Sequence, residues 1–559
     1  MNLHKRRDFL KLCIGSAPGW VLARRLNAGA GSLQETVPGS IRKPRSVDRY
    51  IDPLPIPKIL KPESVSSEGP LYRVGMSEFA HTLHSQLPPT RVWGYAGQFP
   101  GPTIEAERGK PLVIAWENHL PVQHLFAIDP RIQGAAPPTA AVRTAPCVHG
   151  GRVPEESNGL PERWLVPGQT IRARYPNNQS AAALWYHDRA AGISRLNVYA
   201  GLSGLYLLLD EEERKAANPA SDYEIPLILR DCTLDDHGQL VYATTFDDGQ
   251  MPPPGTWAPE CLGELPLVNG ALYPYLEVEP RAYRFRVVNA ANQRFFELFL
   301  NLAKDPIQVP SLVNFQQIGG DGGLLPSRVA LHKLLLAPGE RADLLVDFSG
   351  YAGKTVTLSN GAAAPFPSWD VVHPHHAALY ELMQFRVTLA RKDVSAAPSR
   401  PDVSNFPAMT AGPATATRDF ILAEEMDRSG RSLGVRINGK GYRDPATELI
   451  RLGSTEKWRF INDTEYAHPM HVDLAQFHVI ERQGYSVVAL RNGSIEPVGT
   501  ARPAPANERG WKDTAVVNPR EILTLLVRFE GYPGRYVFGS QILEQADKSL
   551  MRPYEVLPA

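Results

Sequence analysis

The sequence lacks a long apolar segment and an excess of charge of either sign. Its 59 basic residues are matched by 59 acidic ones, so the overall charge offers no attraction for nucleic acid. No stretch approaches the roughly 20 apolar residues that a membrane-spanning helix needs. Charged residues make up 21% and hydrophobic residues 43% of the chain, which excludes a disordered protein. We expect a globular protein of two to four domains, with no nucleic-acid partner and no membrane span.

Proline and glycine, in contrast, are abundant, at 51 and 45 residues. They fall between short alternating apolar stretches of strand length, for example 111–116, 204–209, 283–288, 342–348 and 522–528. No long helical periodicity competes with these stretches. This pattern predicts an all-β protein with many turns.

A weak internal repeat divides the chain at domain-sized intervals. The phrases Pro167-Gly-Gln169, Pro338-Gly-Glu340 and Pro519-Arg-Glu521 each stand directly before an alternating strand. We predict three β units, 31–215, 216–390 and 419–559, with residues 31–47 as an extended arm and a Pro- and Ala-rich linker at 391–418. Residues 1–30 are assigned to a signal.

The N-terminus is basic, with six Lys or Arg residues and one acid among the first 30. Its run Lys5-Arg-Arg-Asp-Phe-Leu-Lys11 resembles a twin-arginine export signal, followed by a short apolar stretch and small residues. We therefore predict a periplasmic or secreted protein. Removing the signal with Cys13 leaves Cys147, Cys232 and Cys261, an odd number, so at least one is a free thiol or a metal thiolate. Whether Cys232 and Cys261 form a disulfide bond stays an open question.

Four segments carry the residues that suggest chemistry. They are Pro146-Cys-Val-His-Gly-Gly151, Leu184-Trp-Tyr-His-Asp-Arg189, His468-Pro-Met-His-Val-Asp473 and Gly534-Arg-Tyr-Val-Phe-Gly-Ser-Gln-Ile-Leu-Glu-Gln545, the last continuing to Leu550-Met-Arg-Pro553. In order and spacing they resemble the copper motifs of multicopper oxidases, in the branch of bilirubin oxidase, spore-coat laccase and phenoxazinone synthase. The resemblance runs from about residue 50 to the end. It implies three cupredoxin-like Greek-key β-sandwich or barrel domains.

The family motifs contain ten histidines, one cysteine and an axial methionine as copper ligands. This chain keeps four of those histidines, His149, His187, His468 and His471. The other ligand positions are substituted, by Cys147, Arg189, Asp473, Gly539, Ser540, Gln541, Gln545 and Leu550. The resemblance thus indicates the family scaffold with a degenerate copper site.

The blue (type 1) copper position keeps only His468. A blue site needs two imidazoles and a thiolate, and the hydroxyl of Ser540 cannot supply the soft copper–sulfur bond through which electrons enter. We expect His468 to be a hydrogen-bonded core imidazole, and laccase-type oxidase activity is not expected.

At the position of the three-copper cluster, some of the substituted residues complement one another in charge. One type 3 copper would keep His149 and His187 with Gln541, while the other would face Arg189, Asp473 and Gly539. We infer a buried Arg189–Asp473 ion pair in the second place; the alternative is that both side chains point apart into solvent.

No cofactor is expected from these substitutions. The alternative is a single copper or zinc ion held by Cys147, His149, His187 and His471, with Asp473 as a further donor. The group His373-Pro-His-His376 is interpreted as a surface loop with incidental metal affinity.

Three functions remain open. The first is a copper-free scaffold or binding protein of the cell envelope with an unidentified protein partner, comparable in its loss of copper to the family member SufI. The second is a repurposed enzyme that uses a Cys/His or single-metal site in the old cavity. The third and weakest is a laccase-like oxidoreductase. No nucleophile elbow, phosphate loop or dinucleotide fingerprint is present.

Overall fold

The computed structural model describes residues 46–130, 132, 134–135, 139–216, 221–242, 261–302, 312–367, 379–392, 413–426, 428 and 432–559. The predicted signal, the His373–His376 group and most of the predicted linker lie outside these residues. The described part consists mostly of β-strands, which confirms the all-β prediction.

The strands form three successive groups. The first group is β1 Ser64–Ser66, β2 Gly69–His81, β3 Thr90–Tyr95, β4 Gly101–Glu107, β5 Leu112–Asn118, β6 Pro146–His149, β7 Thr170–Tyr175, β8 Ala182–Asp188 and β9 Ser203–Leu209. The second is β10 Glu224–Cys232, β11 Leu265–Val268, β12 Ala271–Leu272, β13 Tyr275–Glu277, β14 Ala282–Asn289, β15 Phe296–Asn301, β16 Leu312–Val313, β17 Phe315–Gly320, β18 Gly323–Leu331, β19 Leu334–Leu336, β20 Arg341–Asp347, β21 Thr355–Asn360 and β22 Glu381–Arg386. The third is β23 Ala416–Met426, β24 Ser432–Ile437, β25 Leu449–Arg451, β26 Thr455–Asn462, β27 His468–Val472, β28 Gln476–Tyr485, β29 Pro497–Pro503, β30 Thr514–Val517, β31 Glu521–Arg528, β32 Gly534–Ser540 and β33 Met551–Leu557.

Helices are few and short in the described ranges. They are α1 Ser194–Ala200, α2 Glu211–Ala216, α3 Val487–Arg491 and α4 Leu543–Lys548, with 3-10 turns at Glu155–Ser157, Ser221–Tyr223, Ser349–Tyr351 and Ala506–Glu508. None of these helices has the length and hydrophobicity that a membrane span requires.

Each group of strands forms two sheets, and the first sheet of every group has the same central arrangement. In the first sheet of each group, one parallel pair is extended by an antiparallel strand: β2–β5–β7, β10–β14–β20 and β23–β26–β31. The last strand of each trio begins at or just after one of the three repeated turn phrases. The repeat in the sequence is therefore a repeat of topology, although the exact domain boundaries remain predictions.

The repeated turn has the same backbone requirement each time. Gly168 and Gly339 have φ values of +87° and +83°, and Arg520 takes the third position with φ +61°. This left-handed region favours glycine because a side chain crowds the backbone there. The conformation explains why two of the three phrases read Pro-Gly.

Several strands are buried on both faces, against the expected alternation. All seven residues of β8 are buried, as are those of β14. One face of each packs within its own group, while Ala183 and Trp185 pack together with Ile228, Val288 and Leu543 of the other groups. Contact between groups, which local sequence does not encode, thus overrides the alternation.

The three cysteines of the described residues are buried free thiols. The Cys232–Cys261 disulfide that the sequence left open is not formed in the structure. Cys147 alone of the three lies at the candidate site.

A glycine of the repeated turn offers a test of how tightly the site is packed. In Gly339→Ala the added Cβ would lie 3.0 Å from Gln541 Cγ and 3.1 Å from His149 Cε1, whereas in the control Gly168→Ala it would meet nothing within 4 Å. Both variants carry left-handed strain of about 1–2 kcal/mol. Only Gly339→Ala should lose about 1–3 kcal/mol more through crowding. Chemical denaturation measures both, and equal losses would contradict this packing.

Candidate functional site

The register of five strands brings the singled-out residues together. β6 pairs with β8, so that Cys147 lies opposite His187 and His149 opposite Trp185. β27 lies between β30 and β32, which places His471 between Thr514 and Gly539. Because alternate residues of a strand share a face, the side chains of both sheets meet between the first and third strand groups. One cavity is lined by His187, Arg189, His471, Gly539, Ser540 and Gln541.

Arg189 and Asp473 form a buried, two-pronged ion pair. Arg189 Nη1 donates to Asp473 Oδ2 at 2.5 Å and Nη2 to Oδ1 at 2.8 Å, and the two side chains are 8% and 3% exposed. Burial alone would raise the pKa of Asp473, but the Arg189 charge and the His471 hydrogen bond lower it well below its usual range. The pair inferred from the sequence is present, and the solvent-facing alternative is wrong.

His471 has an oxygen acceptor beside each ring nitrogen. Its Nδ1 lies 2.8 Å from the Asp513 carbonyl oxygen and its Nε2 lies 3.1 Å from Asp473 Oδ1. A carbonyl and a carboxylate oxygen accept but do not donate, so the two contacts favour the doubly protonated ring. Burial lowers the pKa of His471, but the hydrogen bonds and charges of Asp473 and Asp513 outweigh burial and raise it overall.

Asp513 extends this network to the second strand group, and sequence reasoning missed it. Arg341 Nη1 donates to Asp513 Oδ1 at 2.7 Å, with Nη2 on the other oxygen. Thr514 Oγ1 also donates to Asp513 Oδ1, at 2.9 Å. The order of charges is therefore Arg189, Asp473, His471, Asp513, Arg341, alternating in sign. The one signal of this network in the sequence was Arg341, a charged residue directly after the Pro338-Gly-Glu340 turn.

Gly539 closes the position of one former imidazole. A Cβ there would lie 2.5 Å from the Leu550 carbonyl oxygen and 2.8 Å from Met551 Cα. Both are backbone atoms, which cannot give way as a side chain can. No side chain fits at this position while β32 and β33 keep their register.

The type 1 position holds a neutral histidine and no sulfur ligand. Thr464 Oγ1 directs its hydrogen to Asn462 Oδ1 at 2.7 Å, so it accepts from His468 Nε2 at 2.8 Å. The opposite nitrogen, Nδ1, is buried without a hydrogen-bond partner among the described residues, and burial lowers the pKa of His468 to about 3. The Ser540 hydroxyl accepts from the Ile542 amide at 3.1 Å.

The remaining type 1 positions are apolar or neutral. Leu550 is fully buried in the core of the third group. Gln545 shares a small aromatic-walled cavity with His468, Phe295 and Phe366. These residues do not fit a blue copper ion, which needs a thiolate.

Two buried imidazoles at the other end of the site, His149 and His187, are neutral. His187 Nδ1 donates to the Asp188 carbonyl at 2.8 Å, leaving Nε2 unprotonated, 3.5 Å from Cys147 Sγ. His149 Nε2 donates to Thr514 Oγ1 at 2.9 Å, and its buried Nδ1 has no partner within the described part of the chain. Burial lowers the pKa of His187 to about 3 and that of His149 well below its usual range.

Cys147 is a protonated thiol. It is fully buried, and burial raises its pKa to about 12 although the Arg189 charge acts in the opposite direction. A nucleophilic cysteine needs a lowered pKa and some exposure. Cys147 has neither.

His149, His471 and Asp513 are close enough to suggest a metal site, since one ligand atom of each lies within 4.8 Å of the others. The rings of His149 and His471 are stacked, however, with centroids 3.8 Å apart and planes 21° apart. An imidazole binds a metal through an in-plane lone pair, and two nearly parallel planes cannot share one ion close to both nitrogens. This trio is a hydrogen-bonded stack, and the four predicted residual ligands do not all converge either, because His471 uses both nitrogens elsewhere.

Similarity to known proteins identifies the family of this chain. Family models described as multicopper oxidase match residues 411–559 and 79–130. The chain is 40% identical over 526 residues to a laccase of Bacillus subtilis (strain 168), covering 91% of this chain and 99% of that protein. It is 31% identical to multicopper oxidase LPR2 of Arabidopsis thaliana, over 91% of this chain and 93% of that protein.

Solved structures agree. A laccase from Pediococcus acidilactici superposes with a TM-score of 0.71 at 26% identity, covering 93% of this chain and 96% of that chain. The multicopper oxidase McoA from Aquifex aeolicus gives a TM-score of 0.68 at 25% identity, covering 90% and 99%. The prediction of cupredoxin-like domains is confirmed.

The prediction that no cofactor is expected is wrong. The relatives are named laccases and multicopper oxidases, and copper is the cofactor that this kinship implies. The residues fit that metal unevenly. The predicted type 1 set lacks a thiolate, and Arg189 and Gly539 oppose an ion in one half of the predicted cluster. In the other half, His149 Nδ1 has no partner among the described residues and His187 Nε2 faces only the Cys147 thiol.

The contribution of the Arg189–Asp473 ion pair can be tested by measuring the free energy of unfolding of variants. Arg189→Met leaves the Asp473 carboxylate buried without its main cation, so the free energy of unfolding should fall by about 3–5 kcal/mol. The control is Arg459→Met, whose partner Asp419 is equally well aligned at 2.6 Å but only partly buried, and which should lose about 0–1 kcal/mol. Urea unfolding measures both. A recovery in Arg189→Met/Asp473→Leu is expected, and similar losses for the two single variants would contradict the assignment.

Proposed function

Because the chain belongs to the multicopper oxidase family, we propose that it is an exported member that has lost laccase-type electron transfer and acts as a binding protein of the cell envelope. The observation that carries the proposal is Ser540 at the position of the family's cysteine. Its hydroxyl is buried and accepts a hydrogen bond from the Ile542 amide.

The loss of electron entry follows from the chemistry of Ser540. In the family, electrons from a reducing substrate enter through a copper–thiolate bond. A serine hydroxyl stays protonated near neutral pH and offers a hard oxygen in place of a soft sulfur. Gln545 and Leu550 replace the second imidazole and the axial ligand, so one restored residue would not complete the site.

The oxygen-reducing cluster is equally altered in its second half. The guanidinium of Arg189 cannot lose its proton in a protein, and it lies on the cavity wall with His471, which is itself cationic. Copper ions bring positive charge to a position that already has it. In this half, Arg189 and His471 both make close contacts with the carboxylate of Asp473.

A repurposed enzyme is the second candidate, but the site supports it less well. The thiol of Cys147 faces the unprotonated Nε2 of His187 at 3.5 Å, which resembles a thiol–imidazole pair. Complete burial and a pKa raised to about 12 leave it without the thiolate that nucleophilic catalysis needs.

The absence of laccase turnover is directly testable. After copper loading, the protein should show no blue absorption band and no oxygen consumption with a phenolic laccase substrate, because Ser540 cannot form the copper–thiolate bond. The laccase of Bacillus subtilis, handled in parallel, is the positive control. A blue band together with oxygen-dependent turnover would refute the proposal.

Export rests on the basic N-terminal run and has its own test. In Arg6→Lys/Arg7→Lys the charge is kept but the paired arginines are lost, so the protein should accumulate in the cytoplasm of a bacterium that has the twin-arginine route. The control is Arg24→Lys/Arg25→Lys, which lies outside the run. Fractionation and immunoblotting measure the outcome, and unchanged export of the first variant would exclude the twin-arginine route.

A further inference from the structure

We propose that residues 51–62, here named the proline-rich segment, dock the folded protein on the surface of an anionic phospholipid bilayer. The segment reads Ile51-Asp-Pro-Leu-Pro-Ile-Pro-Lys-Ile-Leu-Lys-Pro62 and is separate from the site described above. Its isoleucines would enter the headgroup region while its two lysines contact lipid phosphates. The inference deepens the proposed envelope role and rests on it only for the compartment in which the bilayer is met.

Exposed apolar side chains are concentrated in and beside this segment. Ile51, Ile56 and Ile59 are 43%, 47% and 55% exposed, and Val65 of the adjoining β1 is 75% exposed. They are four of the 14 large apolar residues that are exposed in the described part of the chain, so the short stretch 51–65 carries more than a quarter of them. Single exposed apolar residues need no explanation, but a local concentration marks an interaction surface.

The backbone of the segment arranges its side chains in ridges. Its four prolines hold φ at about −65° and disfavour a helical conformation in the residues that precede them. Leu54 is buried, Pro57 and Leu60 are half-buried, and every other residue from 53 to 61 is exposed. A repeat of three residues is that of a polyproline II helix. One ridge therefore packs on the protein and two ridges face outward.

The two outward ridges, one apolar and one basic, consist of Pro53, Ile56 and Ile59 and of Pro55, Lys58 and Lys61. Neither lysine forms an ion pair with a described residue. The nearest acid that follows in the sequence, Glu63, lies 3.2 Å from Arg73 and is paired with it. The positive charge of the basic ridge is therefore free to meet an anionic surface. An apolar ridge beside a basic one matches a bilayer interface, where phosphates and acyl chains lie at adjacent depths.

The segment is already held in place by the strands beneath it. Leu54 N donates to Tyr275 O of β13 at 2.7 Å, and Leu60 N donates to Thr103 O of β4 at 2.8 Å. Thr103 N in turn donates to Lys58 O at 2.9 Å. Because this backbone is ordered before docking, little conformational entropy is lost when the ridges meet a surface.

The spacing of the prolines favours a bilayer over a protein groove as the occupant. The aromatic grooves of proline-binding domains recognise prolines three residues apart, in the pattern PxxP. In this segment the prolines stand at positions 53, 55, 57 and 62, and no two of them have that spacing. A bilayer requires no such register, since it only needs apolar and basic side chains side by side.

The test is co-sedimentation of the full chain with vesicles of phosphatidylglycerol and phosphatidylcholine in equal amounts, and with vesicles of phosphatidylcholine alone. We expect binding to the anionic vesicles that weakens as salt rises. Lys58→Gln/Lys61→Gln should weaken this binding by about 25-fold, because each lysine near an anionic surface contributes about 5-fold. Ile56→Ser/Ile59→Ser should weaken it by at least about 10-fold, because less apolar surface leaves water.

The matched control is Lys354→Gln/Lys457→Gln, which removes two exposed lysines elsewhere in the chain and should change the affinity by less than about 2-fold. All variants keep the same basic N-terminus, so the differences between them report on the proline-rich segment, and circular dichroism checks that each is folded. Equal losses in the two lysine pairs, or equal binding to neutral vesicles, would overturn the proposal. So would binding of soluble inorganic polyphosphate as tight as that of the vesicles, since charge alone would then explain the affinity.

A dye that responds to polarity locates the contact independently of the N-terminus. The cysteines of the described residues are buried, so in Cys13→Ser/Ile59→Cys the dye reacts at position 59. Its emission should shift to the blue with anionic vesicles. In the control Cys13→Ser/Val122→Cys the dye sits at a position that is 82% exposed in the wild type and should not shift. Equal shifts at both positions would contradict the assignment, whereas laccase turnover bears on the proposed function and not on this surface.

Discussion

The arrangement of the site depends on one buried ion pair, Arg189 with Asp473. It joins the end of β8 to the end of β27, two strands from opposite ends of the chain. Asp473 also accepts hydrogen bonds from Asn158 at 2.9 Å and from His471, so one carboxylate fixes three donors. Without the guanidinium, these polar groups would converge on an uncompensated buried charge. Through Asp473 the pair reaches His471, whose pKa is raised by Asp473 and Asp513, and through Asp513 it reaches Arg341.

This alternation of charges explains why the halves of the old cavity differ. Around Arg189, each donor and acceptor is satisfied by protein. His149 and His187, in contrast, have lowered pKa values, and the Nδ1 of His149 is buried without a hydrogen-bond partner among the described residues. The two halves are separated by only one ring stack, His149 on His471, in which one imidazole is neutral and the other protonated. The difference follows the carboxylates: His471 contacts both Asp473 and Asp513, whereas His149 contacts Asp513 alone, at 3.2 Å. For His149, burial and the neighbouring His471 outweigh that single contact and lower the pKa.

Much of the fold could be predicted from the sequence because each strand has a local signal. Proline and glycine turns, short apolar stretches and a turn phrase repeated three times predicted an all-β chain in three units, and the topology repeats where the phrases do. Burial of both faces of β8 and β14 was not readable, since it depends on contacts between units. The residues that line the site were singled out by motif spacing, and their assignment to former ligand positions stays a prediction. Asp513, Arg341 and Thr514 were missed because they carry no motif, and the stacking of His149 on His471 depends on ring orientation that spacing cannot supply.

The closed position at Gly539 limits which residues this part of the site can accept. Restoring an imidazole there by a single codon change would drive a Cβ into the backbone of β33, so the strand pair would have to separate before the ligand could return. Each of the other substituted positions keeps at least a side chain that another could replace. The pairing of β32 with β33 therefore ties position 539 to glycine through the backbone itself, and not through the packing of side chains.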